Sequence, residues 1–274
     1  MICLTGDIHH SGFRYREFPN PRLEDVSPER RPYVSQSEAD VAGEYLSIAR
    51  DAGLKVTFFV TGLALRRDRA AMAALGAGPG LEIGGHTYRA FEPMRLHDWF
   101  RRFAGSFYGP AWFQRWDVKR TLAIIRRRLG VPAVTWRTHA YASDRTTWRV
   151  LEALGVRVLS DRVDLDVIGP QTLAGRLVSL PINVLPDHEH LYHAERTPTA
   201  LGRAAGPTYT GQEWLAIVQR QIDAIEQRGG VATLLVHPIC MYTLDRFQTF
   251  RALCRFLAGR ASVLCRDLGG GAVV

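Results

Sequence analysis

Short apolar runs alternate with helical patterns along the whole chain, and several of the runs end in a histidine. Ile2-Cys3-Leu4-Thr5-Gly6 is the first, followed by a long polar loop that contains Pro19, Pro21, Pro28 and Pro32. Ser37 then caps a predicted helix whose buried stripe includes Val41, Tyr45, Ile48 and Ala52, and Gly53 ends it. Val56-Thr57-Phe58-Phe59-Val60 reads as the next strand, a helix follows to about Leu75, and Leu81-Glu82-Ile83 is a strand that delivers Gly84-Gly85-His86. The two glycines permit a close backbone approach there. Later strands are predicted over residues 133–137, 156–160, 178–184, 231–236 and 262–265, with helices between most of them. The helix over residues 212–227 has the clearest period, with Trp214, Ile217, Val218, Gln221, Ile222 and Ile225 on one face. Seven or eight βα units of this length predict an α/β fold, a (β/α) barrel of parallel strands. In such barrels chemistry sits where strands end and loops begin.

Composition narrows this picture. A chain of 274 residues with 46% hydrophobic content fills one barrel domain. The formal charge is +8, but the arginines are dispersed and only two lysines occur, Lys55 and Lys119, so no nucleic-acid partner is expected. Arg126-Arg127-Arg128 end a helix whose apolar face is Val118, Leu122, Ile125 and Leu129, where they complement the helix C-terminus. The start Met1-Ile2-Cys3-Leu4-Thr5 has no basic segment and no long apolar stretch, which leads to the expectation of a cytoplasmic protein with no membrane partner. Cys3, Cys240, Cys254 and Cys265 form no CxxC pair and suit buried thiols.

The candidate chemistry lies at the run ends. Asp7-Ile8-His9-His10 closes the first run, and His86, His139 and His237 close others. Histidine ligates metals and titrates near neutral pH, so several at one rim suggest an active site in which a nearby acid serves as base. Asp7 and His9 point the same way if the strand continues that far. Taken singly, each has a plainer reading: a buried histidine satisfies hydrogen bonds, and Arg137 on a core strand needs a partner whatever the function. A second cluster, Asp187-His188-Glu189-His190-Leu191-Tyr192-His193, either ligates metal, grips substrate or forms a solvated loop. His188 and His190 share a face if extended, His190 and His193 if helical. The aromatic stretch from Phe107 to Trp116 either stacks on a sugar ring, with Trp112 as the candidate, or packs.

In order and spacing these residues resemble the polysaccharide deacetylase superfamily, the NodB-homology group also called carbohydrate esterase family 4. Thr5-Gly6-Asp7-Ile8-His9 resembles its Thr-Phe-Asp-Asp-Gly motif, and His86-Thr87-Tyr88-Arg89-Ala90 its His-Ser/Thr-x-x-His motif. Arg137-Thr138-His139-Ala140-Tyr141 resembles the segment in which an Arg precedes Pro-Tyr, and Leu234-Leu235-Val236-His237-Pro238 the Leu-x-x-His segment. The likeness runs roughly over residues 2–240 and leaves an inserted loop region at about 185–211.

The resemblance implies a distorted, NodB-like (β/α) barrel that hydrolyses N-acetyl groups with a divalent metal. It implies Asp7 as the base, Arg137 as the residue that holds it, His237 as the acid, and Asp161 or Asp164 as the carboxylate that tunes His237. Two family ligands are replaced, by Ile8 and Ala90. The implied metal set is therefore His9, His10 and His86, with His139 or Glu92 as alternative third ligands, and it suits zinc first, then Ni, Co or Fe. Tyr88, Trp112, His139, Tyr141, Asp187, His188 and His190 are the candidate substrate contacts. The function implied is a metal-dependent N-deacetylase acting on an N-acylated amino sugar or related small biosynthetic intermediate, with the oligomeric state left open. The alternatives are a metal-independent amidohydrolase, like the ring-opening ureide hydrolases of the same superfamily, and a non-catalytic carbohydrate-binding barrel.

Overall fold

A computed structural model describes residues 1–17, 30–76, 78–192 and 209–270. Pro19, Pro21, Pro28, His193 and most of the 185–211 region lie outside the described residues.

Eight strands form one sheet: β1 (Ile2–Ile8), β2 (Val56–Val60), β3 (Leu81–Gly85), β4 (Thr135–Trp136), β5 (Val158–Leu159), β6 (Gln171–Ala174), β7 (Leu177–Ser179) and β8 (Ala232–Leu235). Their spatial order is β6-β7-β5-β4-β3-β2-β1-β8. Every pairing is parallel except β6 with β7, a short hairpin the apolar pattern does not announce. The helices are α1 (Glu38–Asp51), α2 (Gly62–Arg67), α3 (Arg69–Leu75), α4 (Met94–Ala104), α5 (Ala111–Leu129), α6 (Arg145–Ala153), α7 (Gly211–Gln227), α8 (Pro238–Asp245) and α9 (Gln248–Leu257).

The central strands are apolar on both faces because helices cover one side and the barrel interior the other. Every residue of β1, β2 and β3 is buried. Ser37 caps α1 in a reciprocal bond with Asp40, and Thr210 caps α7 in the same way with Glu213. Gly85 is needed for packing, since a Cβ there would come within 2.4 Å of the Trp136 ring. All four cysteines are buried free thiols, and Arg126, Arg127 and Arg128 are exposed in the last turn of α5.

Five expectations need correction. The helix after β2 breaks at Asp68, whose backbone leaves the helical region and whose carboxylate accepts from Ser11 N at 3.0 Å. The strand expected at 133–137 pairs only at Thr135–Trp136 and the one at 156–160 only at Val158–Leu159. The strand expected at 178–184 pairs regularly only through Ser179, and Pro181, with no N–H to donate, lies in the stretch beyond. The strand expected at 262–265 makes one bridge, Ile2 to Ser262. Its next amides are taken by side chains, Cys265 N by Thr57 Oγ1 and Arg266 N by Glu82, so the chain turns instead of pairing.

The ladder alone is open, with β6 at one end and β8 at the other. Asn183 fills the gap beside β8. Its Oδ1 accepts from Thr233 N at 2.8 Å, and its Nδ2 donates to Val231 O at 2.9 Å and to Val167 O at 2.8 Å. An exposed strand edge needs such partners because its backbone groups are otherwise orphaned. Asn183→Ala removes three buried side-chain bonds worth about 1 kcal/mol each. It is expected to lower unfolding free energy by roughly 3 kcal/mol in urea titrations, and a loss of a few tenths would show that Asn183 does not carry the closure.

Candidate active site

The strand ends converge on Asp7. Its Oδ1 accepts from Arg137 Nη1 at 2.8 Å, while Oδ2 stands 3.7 Å from His86 Nε2 and 3.7 Å from His237 Nε2. Arg137 is wholly buried, and its remaining donors are satisfied: Nε by Ser160 O at 2.6 Å, Nη2 by Ser160 Oγ at 2.8 Å and Thr5 Oγ1 at 3.0 Å. Its planar fork also lies 4.4 Å from the Phe59 ring centroid. Burial alone would raise the Asp7 carboxyl, but the Arg137 guanidinium, with His86 and His237, holds it well below the usual carboxylate range. Asp7 is therefore favoured as a carboxylate, with Oδ2 facing two groups of histidines.

The first group is His9, His86 and His139, at the ends of β1, β3 and β4. One ligand atom from each lies within 4.8 Å of the others, and the three rings stand at 74°, 78° and 85° to one another. His139 Nδ1 is 2.9 Å from His9 Nε2 and 3.2 Å from His86 Nε2. The outward nitrogens are held from behind: His86 Nδ1 donates to Arg137 O at 2.9 Å, and His9 Nδ1 donates to Glu38 Oε2 at 2.9 Å. Glu38 also accepts from His9 N and from the Tyr15 hydroxyl. Burial lowers His86 to about 3 and, with His9 and His86 beside it, lowers His139 well below its ordinary value. Phe13 stacks on His9 at 4.8 Å and shields it.

The loops that deliver this group are strained. Thr87, Ala90 and Phe91 after β3, and Ala140 and Tyr141 after β4, all have φ between 48° and 63°.

The second group surrounds His237 at the end of β8. Asp187 accepts from its backbone N at 2.7 Å and from its Nδ1 at 2.8 Å, which turns Nε2 toward Asp7. Burial would lower this imidazole, but Asp187 and then Asp7 raise it well above its ordinary value. An imidazole raised in this way stands beside a carboxyl that is held low. His188 lies against its ring at 4.8 Å and contacts Cys240 Sγ through Nδ1 at 3.4 Å.

Some sequence candidates sit elsewhere. Consecutive residues of extended chain point to opposite sides. Accordingly His10 turns away from His9, and its Nε2 meets Glu92 at 3.0 Å. Neither His10 nor Glu92 joins the three imidazoles, and His139 stands there instead. Asp161 is bonded by Ser143 and Asp164 by Arg162, so neither tunes His237, and Asp187 has that place. Burial raises Asp161 to about 6. The Tyr88 ring is packed between Gly62 and the Arg120 guanidinium, away from Asp7. Trp112 is 68% exposed on the outer face of α5. Tyr141 bonds Glu189, and His190 lies 5.9 Å from the Tyr209 ring. Glu38 escaped the sequence reading. Glu38 looks like an ordinary acidic first-turn residue after a serine cap, and only its burial beneath His9 reveals its role.

No family model and no curated protein matches the chain. Solved structures do match. A candidate polysaccharide deacetylase from Mycobacterium smegmatis is 18% identical, covers 96% of this chain and 85% of its own, and superposes with a TM-score of 0.65. The fold is that of the polysaccharide deacetylases. A CE4 esterase from Streptococcus mutans is 13% identical over 97% of this chain and 84% of its own, with a TM-score of 0.54. Puue allantoinase is 14% identical over 98% and 88%, with a TM-score of 0.61. In this deacetylase-type barrel the buried Arg137–Asp7 pair is the centre of the rim. Breaking such a pair from one side costs about 3–5 kcal/mol because the other charge is left buried and uncompensated. Arg137→Met is expected to lose that much in urea unfolding, and Arg137→Met/Asp7→Asn to recover at least about 1 kcal/mol of it. Equal losses in the single and double variants would mean that the two charges are not coupled.

Proposed function

We propose that the protein is a metal-dependent N-deacetylase, an amide hydrolase acting on an N-acylated amino sugar or a related small molecule, with residues 1–274 as one catalytic domain that carries an insertion at about 185–211. The observation that carries this reading is the position of Asp7 Oδ2, 3.7 Å from both the three-histidine group and His237. A carboxylate, a raised imidazole and three further imidazoles around one point support a base, an acid and a ligand set, the groups that cleavage of an unactivated amide requires.

The donor set fits a divalent cation. His9 Nε2, His86 Nε2 and His139 Nδ1 face one another at the rim, and a single proton on His139 Nδ1 can serve only one of its two neighbours. A cation resolves that mismatch, and the bonds from His9 to Glu38 and from His86 to Arg137 O are the outer-shell supports that ligating imidazoles use. Three imidazole nitrogens suit Zn, with Ni, Co and Fe as further fits, and leave room for water. When bound, the cation acidifies that water and polarises the acyl carbonyl.

The chain's own residues do the rest. Arg137 keeps Asp7 ionised, so Oδ2 accepts the proton of the attacking water. Asp187 holds His237 protonated through Nδ1, and Nε2 delivers a proton to the departing nitrogen as the C–N bond breaks. Tyr141 and Glu189 bond each other, His188 lies against His237, and these side chains together with His190 are the ones we assign to substrate.

The reading is tested by assaying acetate release from N-acetylated amino sugars before and after chelation. Activity is expected to disappear on chelation and return with Zn, Ni or Co, and Glu38→Ala is expected to weaken metal binding about 10–100-fold. Undiminished turnover by metal-free protein would favour a metal-independent amidohydrolase, a reading suggested by Ile8 and Ala90 standing in two ligand positions of the resembled motifs.

The acid has its own signature. A raised pKa means that the protonated, competent His237 is present at neutral pH and is lost as pH rises through that value. Asp187 holds the value up, so Asp187→Asn is expected to move the alkaline limb of kcat to lower pH and to reduce kcat by about 10²-fold or more. An unchanged alkaline limb would count against His237 as the acid.

A further inference from the structure

The helices between β3 and β4 carry an exposed aromatic surface that the proposed chemistry does not use. On α4, Leu96, Trp99 and Phe103 are spaced i, i+3, i+7 and form one outward stripe, with Trp99 54% and Phe103 64% exposed. On α5, Trp112 and Trp116, spaced i, i+4, are 68% and 49% exposed. Edge-on and tilted ring contacts join the two stripes through the buried Phe100: Trp99 contacts Phe100 at 5.7 Å, Phe100 contacts Phe113 at 4.9 Å, and Phe113 contacts Trp112 at 5.8 Å and Trp116 at 5.7 Å. Large exposed rings gathered on one face in this way mark a place of contact.

Its charge selects the partner. Arg95, Arg101, Arg102, Arg115 and Lys119 are exposed around the rings. Between residues 94 and 120 the acidic residues are Asp98, paired with Arg101 at 3.0 Å, and Asp117, which is buried. Tryptophan and phenylalanine beside arginine and lysine suit the boundary between lipid headgroups and acyl chains, where the rings enter the apolar layer and the cations stay with the phosphates. A neutral sugar would stack on the rings but offer no opposite charge to Arg95, Arg102, Arg115 and Lys119. A second copy of a chain carrying +8 would be repelled.

The face also adjoins the site. A helix that follows a strand begins at the rim where the strand ends, and the rings continue inward from Phe113 to His97 at 5.7 Å, His97 to Phe91 at 4.7 Å and Phe91 to His139 at 5.6 Å.

We propose that the α4–α5 face docks on an anionic phospholipid bilayer as a peripheral, reversible contact beside the three-histidine rim. The docking goes beyond the deacetylase reading and does not depend on it. The test is co-sedimentation of the full chain with vesicles of phosphatidylcholine alone and of phosphatidylcholine mixed with phosphatidylglycerol, followed by tryptophan emission. Binding is expected to favour the anionic vesicles roughly tenfold or more, to shift the emission to the blue, and to weaken as salt is raised. Trp99→Ser/Phe103→Ser is expected to reduce partitioning on both vesicle types at least about tenfold, and Arg95→Glu/Arg102→Glu to remove the preference for anionic lipid, with turnover of a soluble substrate unchanged in both. Absence of binding to anionic vesicles, or binding unaltered in both variants, would overturn the proposal. So would a dimer in sedimentation equilibrium that Trp99→Ser/Phe103→Ser dissociates, or retention on an N-acetylated polysaccharide in place of vesicles.

Discussion

A buried arginine needs acceptors for its N–H groups, and Arg137 makes four such bonds across the barrel interior, to Thr5 and Asp7 of β1 and to the carbonyl and hydroxyl of Ser160 just past β5. The requirement fixes more than one side chain. It draws the ends of three strands to a common depth, and it makes Asp7 a permanent anion in a place where burial alone would have neutralised it. The carboxylate then acts on both neighbouring groups. It favours charge on His237, where Asp187 adds to it, and is outweighed by desolvation at His86. Histidines on either side of one oxygen are thereby held in opposite protonation states, which is the division of labour that acid–base chemistry needs.

Much of the fold was legible because it rests on local rules. Continuous apolar runs for β1 to β3, the serine cap of α1 and the period of α7 are each decided within a dozen residues. The β6–β7 hairpin was not legible, since Gln171-Thr172-Leu173-Ala174 carries no alternating pattern and is held by its partner. The short β4 and β5 show the reverse case, where strand-like sequence exceeds the length of partner available.

The site divides along the same line. Asp7, His86, Arg137 and His237 could be read from motif order, because each sits at the end of a strand. The choice between His9 and His10 follows from alternation along extended chain once the strand's orientation is known, and that orientation is a property of the packed sheet. His139, Glu38 and Asp187 come from segments far apart in sequence, and only the tertiary arrangement brings them to the histidines they support. Trp112 illustrates the opposite error, an aromatic beside a plausible motif that faces outward.

The closure beside β8 also bears on control of the chemistry. Asn183 accepts the backbone N–H of Thr233, and Asp187 accepts that of His237, so each partner lies 50 residues further on and the two contacts are in step. The segment carrying them takes the position of a neighbouring strand, with side chains supplementing a single backbone bond from Asn183 N to Thr233 O at 3.3 Å. Its last rung is the carboxylate that keeps His237 charged. Completing the barrel and charging His237 are thus a single assembly event. A partly folded chain, or one whose seam has opened, holds a histidine of ordinary acidity with no reason to stay protonated, so the raised imidazole is a property of the finished fold.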